Sequence, residues 1–249
     1  ATSWVKSEGG KVWTFKLRKG VKFHNGEVFN AQAVKYSMQR LVKVEGGAAW
    51  NFEPIKETKV IDDYTVQFIC DDPYPVDLMM ASYYGPYMMP PKFSEEKGIE
   101  WFQKGNACGT GPYTLKSYEK GIGAILEKFD DYWGGWQPNQ FDIAFYKIIN
   151  ESSTGIQLLK LKEMDIIENV PMEVEDSLAK EPGIEIYIAE STQNYWYHLH
   201  NQKFPTDDIN VRKAISHAIN VDEIIETIVG KKNAVLFGLM IFVGTAMAG

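Results

Sequence analysis

Hydrophobic and polar residues alternate between positions 11 and 18, which is the pattern of a β-strand with one buried face. Trp13, Phe15 and Leu17 fall on the apolar face of that strand. An Asn-Gly pair at 25 and 26 then predicts a tight turn. Asn30 suits the N-cap of a helix whose apolar residues recur at helical spacing, namely Val34, Met38, Leu41 and Val42. The pattern therefore predicts a strand, a turn and an amphipathic helix.

Further elements follow from the same reasoning. The stretch 59–70 predicts two strands joined at Asp62-Asp63, and 113–128 predicts a hairpin. A helix is expected near the C-terminus after Asp207 or Asp208, and a second one after Asn220. Other predicted elements are a helix at 154–162 and strands at 141–149, 164–167, 184–188 and 195–201.

The stretch 73–111 differs in composition, because Pro, Gly, Tyr and Met are frequent in it. We expect no long regular element there, and we expect a joint between domains. Elsewhere strands and helices interleave along the chain. The sequence therefore indicates an α/β or α+β class.

The charge balance and the cysteine count narrow the possible functions. The 249-residue chain has a formal net charge of −7, and its basic residues are scattered among acidic ones, which argues against nucleic acid as a partner. Cys70 and Cys108 fit either one disulfide or two buried thiols. The apolar run at 234–243 has about half of the ~20 residues that a membrane-spanning helix needs. We expect that run to pack against protein and not to enter a membrane.

No pattern of residues typical of catalysis stands out in the sequence. It contains no nucleophile elbow, phosphate-binding loop or dinucleotide fingerprint. His198 and His200 lie two apart on a predicted strand and so face the same side, but a third metal ligand at a readable spacing is missing. His24 precedes the predicted turn and is expected to face solvent. The sequence favours a protein that is not an enzyme and needs no cofactor, with a metal-dependent hydrolase using the two histidines as an alternative.

Four stretches, in this order, resemble the sequence blocks of one protein family. They are WTFKLRKGVKFHNGEVFNAQAVKYSMQR at 13–40, GTGPYTL at 109–115, DYWG at 131–134 and DINVRKAISHAINVDEI at 208–224. The family comprises the extracytoplasmic solute-binding proteins of peptide and nickel ABC transporters. Lys162 stands where the family often has glycine, so we expect a change in how one helix ends.

The resemblance implies a fold and a role. It implies a type II periplasmic-binding-protein fold, in which mixed sheets flanked by helices form two lobes that close on a ligand. It also implies a receptor outside the cytoplasmic membrane, periplasmic or extracellular and membrane-anchored. Such a receptor delivers a small peptide to the membrane permease of an ABC importer and is monomeric at full length. Nickel chelates and oligosaccharides are alternative ligands, and peptide-sensing signalling is an alternative role.

Domain boundaries follow from the same resemblance. Residues 1–108 correspond to a small extra domain of the first lobe, 109–204 to the middle segment of that lobe, and 205–249 to the truncated start of the second lobe. Because family members are about twice as long, the chain is interpreted as an internal fragment with an incomplete bilobal fold.

Candidate ligand contacts are aromatic. In the family, an aromatic residue shortly after the helix that ends here near Arg40 reaches the ligand cleft. Trp50 is the nearest match in this sequence, and Phe52 is the second. A cluster of tyrosines could line the same cleft, namely Tyr83, Tyr84 and Tyr87. Nickel-binding members use an arginine in this region, where this chain has none, which favours a peptide ligand.

Overall fold

The computed structural model describes residues 1–44, 49–82, 84–168, 170–188 and 198–229. The chain divides into two compact units, Ala1–Ile148 and Ile149–Gly249. Within the described residues, the strands all lie in the first unit, and helices occur in both. The structure is therefore mixed α/β, as the sequence predicts.

A four-stranded antiparallel sheet lies at the centre of the first unit. The spatial order of its strands is β1-β2-β4-β3. The strands are β1 (Ser3–Ser7), β2 (Val12–Lys16), β3 (Ile55–Asp62) and β4 (Thr65–Cys70).

The predicted apolar face of β2 is confirmed. Trp13 and Phe15 lie opposite Phe68 and Val66 of β4, and all four side chains are buried. The rings of Phe15 and Phe68 meet edge to face with centroids 5.4 Å apart. Leu17, just beyond the strand, is also buried. This face forms the main hydrophobic core of the unit.

The turn between β3 and β4 forms at the predicted aspartates. The Asp62 carboxylate accepts the N–H of Tyr64 at 2.8 Å. Hydrogen bonding to the Thr65 side chain, and then to the Tyr64 backbone, holds the pKa of the Asp62 carboxyl below its usual range. The ionised form of Asp62 therefore stabilises this turn.

Helix α1 (Ala31–Val44) packs on β3 and β4, and it begins where the sequence predicts. Asn30 Oδ1 accepts the N–H of Ala33 at 3.1 Å, which satisfies one of the donors left free at a helix start. Val34 and Met38 are buried in the sheet core, whereas Val42 is 55% exposed. The buried stripe is therefore narrower than the periodicity predicts.

Two helices occupy much of the stretch 73–111, so the prediction of no long regular element there is wrong. They are α2 (Val76–Ala81) and the longer α3 (Pro91–Gln103). Pro91 lies in the first turn of α3, where a missing N–H is tolerated because that donor has no partner inside the helix. Gly98, at a φ of 70°, interrupts the helical geometry of α3.

The start of α3 is capped by a residue from a distant part of the chain. The carboxylate of Glu27 accepts the N–H of Phe93 at 2.9 Å and that of Lys92 at 3.2 Å. The amide of Asn25 donates to the same carboxylate at 2.7 Å. A negative charge at this end of a helix is also favoured by the helix dipole. The Asn-Gly turn, which forms as predicted, therefore places the cap of α3.

A three-stranded antiparallel sheet completes the first unit. Its strands β5 (Tyr113–Glu119), β6 (Gly123–Lys128) and β7 (Ile143–Lys147) lie in that order. They confirm the predicted hairpin and the predicted strand that follows it. Gly123 has a φ of +155°, and a Cβ there would lie 2.0 Å from the carbonyl oxygen of Tyr146, so β6 must begin with glycine.

Helices alone make up the regular structure in the described part of the second unit. They are α4 (Ser152–Lys160), α5 (Met172–Leu178), α6 (Ile209–Ala218) and α7 (Val221–Ile224), and a π-helical turn (Ile225–Val229) follows α7. Every helix of the described residues is too short or too polar to cross a lipid bilayer.

Both predicted caps near the C-terminus are confirmed. Asp208 Oδ1 accepts the N–H of Asn210 at 2.7 Å at the start of α6. Asn220 Oδ1 accepts the N–H of Glu223 at 3.1 Å at the start of α7. Each side chain satisfies an N–H that has no partner within its helix.

The strands predicted at 164–167 and 184–188 are wrong, because both stretches are irregular. Ile166 is 76% exposed and Ile188 is 50% exposed. Alternation describes a strand only when a neighbouring strand and a covering layer are available. Of the strand predicted at 195–201, residues 195–197 lie outside the described residues, and residues 198–201 do not form a strand. The apolar run at 234–243 lies entirely outside the described residues.

The change expected at the end of α4 is not seen, because the helix closes around Lys162 with the bonds usual for a glycine there. The N–H of Glu163 donates to the carbonyl of Leu158 at 2.9 Å, and that of Lys162 donates to Leu159 at 3.0 Å. This pair of bonds closes the helix as a Schellman motif, whose C′ position is usually glycine. Lys162 occupies that position with a φ of 60°. A side chain therefore stands where the backbone favours glycine.

Both cysteines are buried free thiols. Cys70 lies in the sheet core, and Cys108 packs in a second cluster with Phe23 and Ala33. Burial raises the pKa of each thiol. Of the two possibilities left by the sequence, the structure has two buried thiols.

Candidate functional site

An open groove of about 540 Å³ lies on the first unit. The loop before α3 forms one side of the groove, and α3 itself forms another. We call residues 109–111, which lead into β5, the floor of the groove. The described residues that line the groove are all uncharged: Pro86, Tyr87, Met88, Met89, Phe102, Asn106, Ala107, Cys108, Gly109, Thr110 and Gly111.

The wall before α3 is fixed to α1 by one buried hydroxyl. Ser37 Oγ accepts the N–H of Met89 at 2.9 Å and donates to the carbonyl of Ala33 at 2.7 Å. Ser37 is only 3% exposed, so water does not replace these bonds. Met88 packs against both hydrophobic clusters of the unit. The wall is therefore held by a hydrogen bond and by packing, while Tyr87 next to it is 79% exposed.

The floor of the groove is held by His24, so the prediction that this residue faces solvent is wrong. The backbone N–H of His24 donates to the carbonyl of Gly109 at 2.8 Å. The ring accepts the N–H of Gly109 at Nδ1, 3.3 Å away, and its Nε2 lies 3.0 Å from the carbonyl oxygen of Gly111. The ring also meets that of Phe129 edge to face, with centroids 5.1 Å apart.

These contacts select one form of the imidazole. Nδ1 accepts an N–H, so it carries no proton, whereas Nε2 faces a carbonyl oxygen and must donate. The assigned form of His24 is therefore the neutral Nε2–H tautomer.

Further contacts fix the middle of the floor. The indole N–H of Trp133 donates to the carbonyl of Thr110 at 3.1 Å. The guanidinium of Arg18 lies 4.6 Å from the centroid of the Trp133 ring. Lys22 and Asp131 form an ion pair at 2.7 Å. The blocks at 13–40, 109–115 and 131–134 thus meet around the floor of one groove.

The structure separates the predicted contact residues by exposure. Trp50 is 62% exposed in a 3-10 turn, Ala49–Phe52. Phe52, at the end of the same turn, is 1% exposed and lies in the sheet core. Tyr84 is 65% exposed, and Tyr87 is the predicted residue that lines the groove. Tyr83 lies outside the described residues.

Sequence reasoning missed several residues of the groove. Met88 and Met89 adjoin the predicted tyrosines and were open to the same inference, because methionine is frequent at adaptable binding surfaces. Phe102 comes from a helix that was not predicted. His24 could not be found from local pattern, because its partners lie more than eighty residues away in sequence.

The histidine pair considered for metal binding does not gain further ligands in the structure. His198 and His200 are exposed, and His200 Nδ1 accepts the N–H of Gln202 at 3.2 Å. Across the described ranges, no group of three or more His, Cys, Asp or Glu side chains could hold a metal ion. Burial also raises the pKa of the Cys108 thiol at the groove, which disfavours the thiolate that metals bind.

Comparison with known proteins places the chain among binding proteins. The sequence profile described as "Bacterial extracellular solute-binding proteins, family 5 Middle" matches residues 1–240. The probable D,D-dipeptide-binding periplasmic protein DdpA of Escherichia coli K12 is 31% identical over 219 residues, which cover 87% of this chain and 42% of that protein.

Solved structures give the same result. Haemophilus influenzae OppA in complex with RPPGFSPFR superimposes with a TM-score of 0.77 at 25% identity, over 91% of this chain and 48% of that one. Helicobacter pylori DppA in complex with the peptide STSA gives a TM-score of 0.74 at 30% identity, over 92% and 48% respectively. These neighbours have the type II periplasmic-binding-protein fold, and the chain matches part of it.

The chain spans about half the length of the curated relatives it matches. The profile match nevertheless extends over residues 1–240, and the match to OppA covers 91% of the chain. This chain belongs to the bacterial extracellular solute-binding proteins of family 5.

Proposed function

We propose that this protein is the peptide receptor of an ABC importer. In this role it captures small peptides outside the cytoplasmic membrane, in the periplasm or tethered to the outer surface, and delivers them as a monomer to the membrane permease. The role needs binding and release but no chemistry on the peptide. It therefore requires neither a catalytic residue nor a cofactor.

The observation that carries this proposal is the chemistry of the groove. Its described lining is uncharged and combines aromatic rings, thioethers and backbone groups. Flexible methionine side chains adapt to different shapes, so such a lining tolerates varied peptide side chains. The relatives support the same ligand class, since two solved structures with this fold hold peptides.

Exposed aromatic residues provide contact area for the ligand. Trp50, Tyr84 and Tyr87 are each more than 60% exposed, so their rings are open to a ligand. We assign them direct contact with the peptide. Phe52 contributes indirectly, because its buried ring anchors the turn on which Trp50 is exposed.

The proposed domain boundaries accompany this role. Residues 1–108 form the small extra domain of the first lobe, 109–204 the middle segment of that lobe, and 205–249 the start of the second lobe. The His24 contacts to Gly109 and Gly111 then join the first two of these segments.

Isothermal titration of the chain with trialanine and with Ala-Phe-Ala tests the proposal. Trp50→Ala and Tyr87→Ala are expected to weaken binding about tenfold or more, as loss of a buried aromatic contact does. Trp4→Ala and Tyr146→Ala are matched controls, because these residues are similarly exposed, at 51% and 61%, and we assign them no contact with the peptide. Equal binding by all four variants and the unaltered chain contradicts the assigned contacts.

The same assay distinguishes the other ligand classes. Heat released on adding a nickel–histidine chelate or maltotriose, with none on adding either peptide, would replace the peptide proposal. Stoichiometric zinc or iron in protein purified without an affinity tag would instead support the hydrolase alternative at His198 and His200.

A further inference from the structure

We propose that His24 is the positioning residue of the groove: its neutral Nε2–H form holds the floor in place, and protonation of the ring releases it. This inference rests on the proposed function, because it assumes that the groove binds the peptide. It adds a dependence on external pH, which neither the fold nor the family description supplies.

The geometry gives one ring control of two backbone sites. Gly109 forms two hydrogen bonds with His24. Its carbonyl accepts the backbone N–H of His24, and its own N–H donates to Nδ1 of the ring. Nε2 reaches across Thr110 to the carbonyl of Gly111 at 3.0 Å. All three floor residues line the groove. A change at the ring is therefore transmitted directly to the surface that a ligand meets.

Protonation of the ring turns one of these contacts from an attractive hydrogen bond into a repulsion between two donors. A second proton on the imidazole must occupy Nδ1, which then becomes a donor facing the N–H donor of Gly109. Two donors 3.3 Å apart repel each other, so the backbone at Gly109 must move or turn. The contact from Nε2 to Gly111 remains available. Acid is therefore expected to break the Nδ1 contact at Gly109, while the bond from the His24 backbone N–H to Gly109 and the Nε2 contact to Gly111 remain.

Several charged and titratable groups lie on the segments that pack against His24. On its own turn, Lys22 pairs with Asp131, and Glu27 caps α3. Beyond Phe129, which packs on the ring, lie Asp130 and Asp131. Cys108 precedes Gly109, and burial raises the pKa of its thiol, so this neighbour stays neutral.

The contacts of the His24 imidazole itself are with uncharged partners. Its two described hydrogen bonds are to the backbone, not to a carboxylate that would stabilise the protonated ring in place. Imidazole is the side chain whose charge normally changes between about pH 5 and pH 8. The floor is thus exposed to the pH range found outside a cell.

Nuclear magnetic resonance of the full chain tests the positioning role without any ligand. At neutral pH we expect the His24 ring to show an unprotonated Nδ1 and a protonated Nε2. On acidification, the amide signals of Gly109 and Gly111 should shift with the same midpoint as the ring. A protonated Nδ1 at neutral pH would overturn the proposal. So would amide signals of Gly109 and Gly111 that do not shift as the ring titrates.

Two variants separate the two ring contacts. His24→Asn keeps an oxygen near the Nδ1 position that can accept from Gly109, and His24→Gln keeps an amide that can reach Gly111. Each is expected to abolish the pH-dependent shift at Gly109. His217→Gln, at an exposed position on α6, is the control and should leave that shift unchanged. Persistence of the shift in both His24 variants contradicts the proposal.

Binding of Ala-Phe-Ala then connects the floor to function. We expect the unaltered chain to bind it about tenfold more weakly at about pH 5 than at about pH 8. His24→Asn, which retains the acceptor for Gly109, should bind with little pH dependence. The same pH dependence in this variant as in the unaltered chain overturns the role of the ring. No binding at either pH counts against the proposed function, while the ring and amide signals still decide the role of His24.

Discussion

Ser37 offers a direct test of how the wall of the groove is held. Its buried hydroxyl is the acceptor for the Met89 N–H at 2.9 Å, and it donates to the carbonyl of Ala33 within α1. Ser37→Ala removes the hydroxyl and leaves the Met89 N–H buried beside a methyl group. A buried donor that loses its partner keeps its full desolvation penalty.

The size of the effect follows from two opposing terms. Stranding the Met89 N–H costs about 1–3 kcal/mol. Alanine is favoured over serine within a helix by about 0.5 kcal/mol. We therefore expect Ser37→Ala to lower the free energy of unfolding by about 0.5–2.5 kcal/mol. For a chain of this size, each kcal/mol corresponds to about 2–4 °C in the melting temperature.

Ser94 supplies a matched control within the same unit. It is also a helical serine, 4% exposed, but its hydroxyl has no hydrogen-bond partner among the described residues. Ser94→Ala should therefore leave stability unchanged or raise it slightly. Thermal unfolding of both variants, with hydrogen exchange at the Met89 amide, measures the difference. Equal melting temperatures and unchanged exchange at Met89 would refute the reasoning.

Three further substitutions test other parts of the account by thermal or urea unfolding. Glu27→Gln should lower stability by about 0.5–2 kcal/mol, because it removes the charged cap of α3, while Glu95→Gln on the exposed side of α3 should change little. Lys162→Gly should raise stability by about 1 kcal/mol, because glycine suits its positive φ, whereas Gln157→Gly inside α4 should lower it by about the same amount; equal signs would contradict the Schellman assignment. The lowered pKa of Asp62 stabilises the folded chain above about pH 4, and this contribution is lost as the pH falls through the folded-state value, so the stability difference from Asp62→Asn should vanish in acid; a difference that persists there would contradict the assigned cause.

The parts of the fold that the sequence predicts well are those with local causes. The alternation in β2 and the Asn30 cap of α1 depend on residues within a few positions of each other. The end of α4 follows the same rule, since its closing hydrogen bonds join residues a few positions apart. Such features are set by backbone sterics and nearby hydrogen bonds, which a sequence displays directly.

The parts that the sequence does not predict depend on distant partners. Helix α3 begins between two prolines and takes its cap from Glu27, so its own residues do not show where its first donors are satisfied. The stretches at 164–167 and 184–188 are rich in apolar residues like strands but have no neighbouring strand among the described residues. Periodicity shows which face could be buried, not whether anything covers it.

The same difference between local causes and distant partners applies to the candidate site. The exposure of Trp50 and the position of Tyr87 on the groove agree with what an aromatic binding surface requires. The burial of Phe52 beside Trp50 could not be inferred, because both residues are aromatic and only two positions apart. The proposed positioning role of His24 could not be inferred either, because its partners Gly109 and Gly111 are distant from it in sequence.

Mapping of amide and indole signals during titration with Ala-Phe-Ala shows directly whether the peptide binds at the groove. We expect the indole of Trp50 and the amides of Tyr87, Gly109 and Gly111 to shift with one common dissociation constant. Signals from the β5–β7 sheet face, such as Phe145, should not follow that titration. Shifts that leave out Trp50, Tyr87, Gly109 and Gly111, or no shifts at saturating peptide, would contradict this assignment.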